Sequence, residues 1–144
     1  MKRMFEVLAR AIVIHNDMVL LANVKGKKWY FLPGGHVEYG ESALKALERE
    51  LKEEIKGARF SVQEAVGMFE NIYSDIEDHH EYTLLFNTTI DCPEKMESNE
   101  EKLEFHFHKI KDLDCLDIRP SSLIDNIKKW YIDKKVFLNV LLCR

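Results

Sequence analysis

Glutamates gather at the end of a segment whose apolar residues recur at helical spacing. Glu50, Glu53 and Glu54 lie within a span of five residues. Each residue of an α-helix turns by about 100°, so these side chains fall within an arc of roughly 100°. Like charges on one face repel, and a divalent cation offsets that repulsion. The pattern therefore predicts a carboxylate face for a cation such as Mg²⁺, which binds through one or two carboxylates and substrate phosphates.

An ordinary solvated helix end is the alternative, with the glutamates paired to basic neighbours such as Arg49. The preceding sequence favours a site instead. Residues 33–35, Pro-Gly-Gly, predict a sharp bend, and residues 36–41 return the chain to the start of the helix. Backbone carbonyls and Glu41 are then expected beside the helix carboxylates.

The helix that presents these glutamates is predicted to run from Ser42, a suitable N-cap, to Ile55. Its apolar residues recur at three- and four-residue steps. They are Leu44, Leu47, Leu51 and Ile55. A second helix is predicted from Pro120 to about Tyr131.

Runs of apolar and β-branched residues predict the strands that position the helix. The predicted strands are Val7 to Ile14, Met18 to Asn23, Trp29 to Leu32, Ala58 to Met68, Glu81 to Ile90 and Leu103 to Ile110. Turn-forming residues 15–17 join the first two strands as a hairpin. The polar stretch Ser74 to His80 predicts another turn, and the acidic stretch Asp91 to Lys102 predicts an exposed loop. The apolar tail, Val136 to Cys143, is either a strand or a packed helical turn.

Length and charge limit the class of protein. A chain of 144 residues, 46% of them hydrophobic, buries one ordinary core, so one domain over residues 1–144 is expected. Its 21 basic and 25 acidic residues give a formal charge of −4, which argues against nonspecific nucleic-acid binding. A phosphorylated substrate would need cations at the site.

The chain is expected to be cytoplasmic and not embedded in a membrane. Glu6 and Arg10 interrupt the apolar stretch that a secretion signal needs, and no run of 18 apolar residues is present. The cysteines Cys92, Cys115 and Cys143 are widely separated and form no CxxC pair, which favours reduced structural thiols.

The segment from Gly35 to Glu54, GHVEYGESALKALERELKEE, resembles the Nudix box: a glycine, five residues, a glutamate, seven residues, then Arg-Glu-apolar-x-Glu-Glu. The matching positions are Gly35, Glu41, Arg49, Glu50, Leu51, Glu53 and Glu54. The flanking FLPGGHVEYGES and the strand around Arg10 also look like the family, so the resemblance covers about the first 55 residues well. Lys56 departs from the pattern, because the family has a glycine there; Gly57 follows, which puts the helix end in doubt more than the chemistry.

This resemblance implies an α/β fold of the Nudix type, an α/β/α sandwich with a mixed β-sheet. It also implies a metal site for Mg²⁺ or Mn²⁺. Its ligands would be Glu50, Glu53, Glu54 and the carbonyl of Gly34. Arg49 would orient a carboxylate rather than touch the substrate.

The catalytic set implied by the resemblance also includes Glu41 and a proton acceptor. Glu53, taken to lie between the other two glutamates on the helix arc, is the first choice for the acceptor. Relatives also use a glutamate from a later loop, and Glu100 or Glu101 is the candidate here. Ordinary surface charge is the alternative interpretation of both.

Substrate-binding residues are expected to include Arg10, His36 and Tyr73. The predicted function is metal-dependent hydrolysis of a phosphoanhydride bond in a nucleoside diphosphate linked to another moiety, or in a nucleoside triphosphate. One alternative is a non-catalytic module that senses a nucleotide or sugar nucleotide, and another is a structural calcium site. A homodimer through the apolar tail is an open alternative to packing of the tail on the sheet.

Overall fold

The computed structural model describes residues 3–141 and contains a mixed β-sheet with a helix on each side. The strands are β1 (Arg3–His15), β2 (Met18–Val24), β3 (Trp29–Tyr30), β4 (Gly34–His36), β5 (Ile55–Lys56), β6 (Arg59–Ser74), β7 (Asp78–Asp91), β8 (Glu97–Ser98), β9 (Leu103–Lys109), β10 (Asp117–Ile118) and β11 (Phe137–Asn139). The helices are α1 (Ala43–Glu54) and α2 (Leu123–Asp133), and short 3₁₀ turns occur at Pro93–Lys95 and Ile110–Cys115.

The main sheet has the order β11-β6-β7-β1-β2-β9, and β4 pairs with β1 outside that path. β1 runs parallel to β7 and antiparallel to β2 and β4, which makes the sheet mixed. β6 and β7 form a long antiparallel pair. β1 therefore contacts most of the elements that carry candidate site residues, including the glycine bend at β4.

Two apolar cores lie on opposite faces of this sheet. Ala9, Ala11 and Val13 of β1 pack with Leu47 and Leu51 of α1. Ile12, which lies between Ala11 and Val13 in sequence, packs in the second core, together with the buried face of α2. That face contains Leu123, Ile127 and Trp130. Because successive strand residues point to opposite faces, the helices cover the two sides of the sheet, which confirms the α/β/α architecture.

Helix α1 begins as predicted and ends one residue earlier. The Ser42 hydroxyl accepts a hydrogen bond from the Lys45 backbone N–H at 3.2 Å. Ile55 is extended and pairs with Ser98, so α1 ends without a left-handed cap. Gly57 has a φ of +85°, and a Cβ there would overlap the Lys95 carbonyl. A glycine is therefore needed at position 57, in the turn after β5. Lys56 belongs to the extended strand β5, so a side chain is tolerated at position 56.

The predicted turn over Ser74 to His80 is wrong in its extent. β6 continues to Ser74 and β7 already begins at Asp78, with cross-strand pairs up to Ser74 and Asp78 themselves. The polar side chains of this stretch bond across the hairpin instead of forming a long turn; His80, for example, bonds Glu70 at 2.7 Å. His79 and His80 are therefore strand residues that point to opposite faces.

The remaining connections are more ordered than predicted. The acidic loop from Asp91 to Lys102 contains a 3₁₀ turn and β8, which pairs with β5. The tail forms β11, parallel to β6, as the strand alternative predicted. Cys92 and Cys115 are free thiols, and Cys143 lies outside the described residues. Within residues 3–141, no helix combines the length and apolarity that crossing a bilayer requires.

Candidate active site

The glycine bend lets the box helix approach the central strand closely. Gly34 pairs with Arg10 of β1. Gly34 has a φ of +140°, and a Cβ there would lie 2.8 Å from the Arg10 Cα. At Gly35, a Cβ would lie 2.6 Å from Glu50 Oε2. Two glycines are required here because a side chain at Gly34 would collide with the β1 backbone, and one at Gly35 would displace the Glu50 carboxylate.

Arg49 holds the loop and the helix carboxylates together. Its guanidinium donates to both Glu41 oxygens, at 2.7 and 3.2 Å, and to the His36 carbonyl at 3.0 Å. It also donates to Glu50 Oε1 at 3.0 Å. The hydrogen bonds with Arg49 lower the pKa of Glu41, and those with Glu41 and Glu50 raise the pKa of Arg49. All three guanidinium nitrogens of Arg49 therefore donate to groups of the chain itself.

Glu50 and Glu54 form a close carboxylate pair. Burial and the neighbouring Glu50 raise the pKa of Glu54 to about 8. Arg10 and a hydrogen bond with the Gly34 backbone oppose that shift. A partly buried carboxylate beside a second one needs either a proton or a cation. The all-oxygen donor set on this helix fits a hard divalent cation such as Mg²⁺ or Mn²⁺.

Glu53 lies apart from this pair. Its side chain is 60% exposed, and its nearest charged partner is Arg49, 3.5 Å away. Around the helix axis, Glu53 is rotated by about −60° from Glu50, and Glu54 is rotated by about +40° from it. Glu50 is therefore the middle residue of the arc. The expectation that Glu53 lies between the other two was wrong, and the helix period itself shows why.

Glu100 and Glu101 are exposed residues of the loop that follows β8. Asn99 fixes this loop to the end of α1, because its backbone N–H donates to the Glu54 carbonyl at 2.7 Å and its side chain to the Glu53 carbonyl at 3.3 Å. The loop therefore borders the helix end, while both candidate side chains extend into solvent.

A cleft of about 620 Å³ is lined in part by Arg10, the strand partner of Gly34. Of the three residues predicted to bind substrate, Arg10 and Tyr73 line this cleft. His36 does not; it is 60% exposed and bonds Glu6 at 2.7 Å. The other lining side chains include Trp29, Phe31, Phe69, Asn71, Glu81 and Arg119.

Arg10 is the cation between the cleft and the carboxylate pair. It donates to the Leu32 carbonyl at 2.7 Å, and its guanidinium lies 5.5 Å from the Phe31 ring centre. Burial lowers the pKa of Arg10, and the nearby carboxylates of Glu81, Glu54 and Glu50 raise it. These three carboxylates surround one guanidinium, so Arg10 reduces the repulsion that an anionic substrate meets there.

Sequence reasoning missed Glu81 and Arg119 in this cleft and Glu6 behind it. Arg119 stacks on Trp29, with 4.8 Å between the guanidinium carbon and the ring centre. Glu6 is 9% exposed and lies near the start of β1, just before the predicted strand. Glu6, Glu81 and Arg119 reach this region through strand pairing that spacing does not reveal.

Comparison with known proteins assigns this fold to a family. The model of the NUDIX domain family matches residues 6–131. The chain therefore belongs to the Nudix family of pyrophosphohydrolases, which act on nucleotide-like substrates. A search of curated proteins finds no match.

Solved structures share the fold at low sequence identity. A MutT protein from Methanosarcina mazei superposes with a TM-score of 0.72 at 16% identity, covering 94% of this chain and 99% of that one. A MutT protein from Bacillus halodurans gives 0.65 at 23%, covering 94% and 88%. An ADP-ribose pyrophosphatase from Streptococcus suis gives 0.62 at 16%, covering 94% and 98%.

Proposed function

We propose that this chain hydrolyses a phosphoanhydride bond in a nucleoside diphosphate linked to another group, or in a nucleoside triphosphate, with Mg²⁺ or Mn²⁺ as cofactor. The observation that carries the proposal is the Glu50 and Glu54 pair, which lies close to Arg10 at the edge of the cleft. Carboxylates alone would repel a diphosphate, whereas carboxylates that bind a cation attract it.

The residues that would hold the cation are Glu50, Glu54, Glu53 and the Gly34 carbonyl. Glu53 would have to turn from Arg49 toward the pair, a change that its exposure permits. When bound, the divalent ion supplies charge neutralisation of the diphosphate and a more acidic water nucleophile. The chain supplies Arg49, which with Glu41 holds Glu50 in a fixed orientation.

Proton transfer is assigned first to Glu53. Its carboxylate is 60% exposed, so it can reach a water molecule at the mouth of the site. Glu100 and Glu101 are the alternatives from the loop at the helix end.

The cleft supports a nucleotide as the substrate. Trp29 and Tyr73 offer aromatic faces for a base, and Arg10 offers a cation for phosphate oxygens. A volume of about 620 Å³ is in the range of small-molecule sites. The names of similar structures, MutT and ADP-ribose pyrophosphatase, provide the two substrate groups to test first. His36 would reach a phosphate only if its bond to Glu6 opened.

The test is an assay of nucleoside triphosphates, ADP-ribose and sugar nucleotides with Mg²⁺, in which phosphate-containing products are measured. We expect the chain to hydrolyse one of these groups of substrates. In Glu53→Gln, turnover should fall by about 100-fold while the melting temperature stays unchanged. Binding without turnover across the panel would contradict the enzymatic proposal and favour a sensing module. Stabilisation by Ca²⁺ without turnover would favour a structural ion site.

A further inference from the structure

A second group of possible metal ligands lies on β1 and β7, away from the box helix. Ligand atoms of Glu6, His79 and Glu81 all lie within 4.8 Å of one another. The parallel register pairs Glu6 with Glu81, and His79 is two residues before Glu81 on the same face of β7. The sheet itself therefore brings an imidazole and two carboxylates to one point.

His79 and Glu6 each have a further partner that fixes the orientation of the side chain. His79 bonds Asp75 through Nε2 at 3.0 Å, so Nδ1 faces Glu6 Oε2 at 2.9 Å. The other Glu6 oxygen bonds His36 at 2.7 Å. A histidine held by a carboxylate at its far nitrogen is the usual arrangement of a metal-ligating histidine.

Tyr73 completes this outer set of contacts. Its ring stacks on His79 with centres 4.5 Å apart and planes at 7°, and burial, together with the nearby Glu81, raises the pKa of its hydroxyl. The position of the imidazole is thus restricted before any ion arrives. Such restriction lowers the ordering cost of binding an ion.

Burial and access both suit an ion at this point. The side chains of Glu6 and His79 are 8% and 12% exposed, so the ligands face each other rather than solvent. Glu81 and Asp75 line the cleft, which gives an ion a path of entry. Arg10 lies between Glu81 and the Glu50 and Glu54 pair, and it separates the two acidic groups.

We propose that Glu6, His79 and Glu81 bind a divalent first-row transition cation, with Zn²⁺ favoured, at a site separate from the box carboxylates. An imidazole nitrogen with two carboxylates suits Zn²⁺ better than Mg²⁺, which prefers oxygen ligands. The ion would bind at the wall of the cleft, beside Tyr73 and Asp75. This site does not depend on the proposed hydrolysis.

Calorimetric titration of Zn²⁺ into the full chain tests this site. Glu50→Gln and Glu54→Gln together remove the box carboxylates, and we expect this double variant to keep one Zn²⁺ site. Adding His79→Ala should weaken that site more than 100-fold, because it removes the nitrogen ligand. Adding His80→Ala is the matched control, since His80 lies on the opposite face against Glu70, and it should leave the affinity unchanged.

A companion titration covers the case in which the double variant is unstable. Zn²⁺ is added to the unsubstituted chain saturated with Mg²⁺, and Glu81→Gln is compared with it. A loss of at least 10-fold in Zn²⁺ affinity supports the proposal. No Zn²⁺ site in the double variant, or equal affinity with and without His79, would overturn it. So would a His80→Ala effect as large as that of His79→Ala.

Discussion

Glu54 at the end of α1 and Glu70 in β6 are two partly buried glutamates in opposite electrostatic settings. Glu54 lies beside Glu50, and burial together with that neighbour raises its pKa to about 8. Glu70 accepts hydrogen bonds from the Tyr82 hydroxyl and His80 at 2.7 Å and from the Leu141 backbone N–H at 2.9 Å. These donors, Tyr82 first, lower the pKa of Glu70 to about 2.

We infer from this difference that Glu54 is a carboxylate able to bind a cation, whereas Glu70 stabilises the fold. Glu70 has three donors from β7 and the tail, so its charge is satisfied within the fold. Glu54 faces a like charge that the nearby Arg10 offsets only in part, so a bound cation would stabilise its ionised form. We therefore expect substitution of Glu54 to affect chemistry and substitution of Glu70 to affect stability.

Glu54→Gln gives the largest expected effect. Turnover with Mg²⁺ should fall more than 100-fold, because the cation loses a charged ligand from the partly buried pair. The melting temperature without divalent ions should stay unchanged or rise, since the repulsion with Glu50 is removed. Steady-state kinetics and thermal melts with EDTA measure the two quantities.

Glu70→Gln is the matched control for that experiment. It should keep full turnover, because Glu70 lies on β6 and contacts β7 and the tail rather than the box. Mg²⁺ should raise the melting temperature of the Glu70 variant and of the unsubstituted chain, but not that of the Glu54 variant. Equal losses of turnover in the two variants would contradict the expectation that Glu54, and not Glu70, affects the chemistry.

Gly35→Ala tests whether close packing creates the carboxylate pair. The added methyl would lie 2.6 Å from Glu50 Oε2, so it should displace that carboxylate and lower turnover by about 10-fold. The collision is with the end of a side chain, so the melting temperature should change little. Gly40→Ala is the contrasting control: nothing lies within 4 Å of its Cβ, but its φ is +87°, so stability should fall while turnover persists.

The box was predictable because its residues are close in sequence and share one helix. Spacing alone placed Glu50 and Glu54 on one face, and the glycines at 34 and 35 indicated a close approach. The mixed sheet with helices was predicted through the family resemblance, and most strands through their apolar patterns. The position of Glu53 was misjudged, although the helix period contained the correct answer.

The acidic group on β1 and β7 was beyond sequence reasoning. Glu6 and His79 are 73 residues apart and meet only because β1 and β7 pair in parallel. The polar stretch Ser74 to His80 was predicted as a turn, since polarity marks turns when cross-strand partners are unknown. Glu70, Tyr82 and His80 are such partners, and they extend the hairpin by bonding across it.

Acid sensitivity of Glu70 gives the smallest expected effect. Its pKa is about 2 in the folded chain, below its ordinary value of 4.5, so ionised Glu70 stabilises the fold above pH 4.5. This contribution is lost as pH falls from about 4.5 toward 2, where the folded chain takes up the proton. Glu70→Gln should lower the melting temperature by a few degrees at pH 7, and the difference from the unsubstituted chain should close on acidification.

Glu64→Gln on the same strand isolates the contribution of the three donors. Glu64 is exposed and accepts one hydrogen bond, from Asn87 at 3.1 Å, so its substitution should change the melting temperature little at any pH. Thermal melts at pH 7, 5 and 3 compare the two variants with the unsubstituted chain. If the melting-temperature difference caused by Glu70→Gln stays constant down to pH 3, the hydrogen bonds of Glu70 stabilise the hairpin without depending on its charge. The contrast with Glu54 would then rest on packing rather than on ionisation.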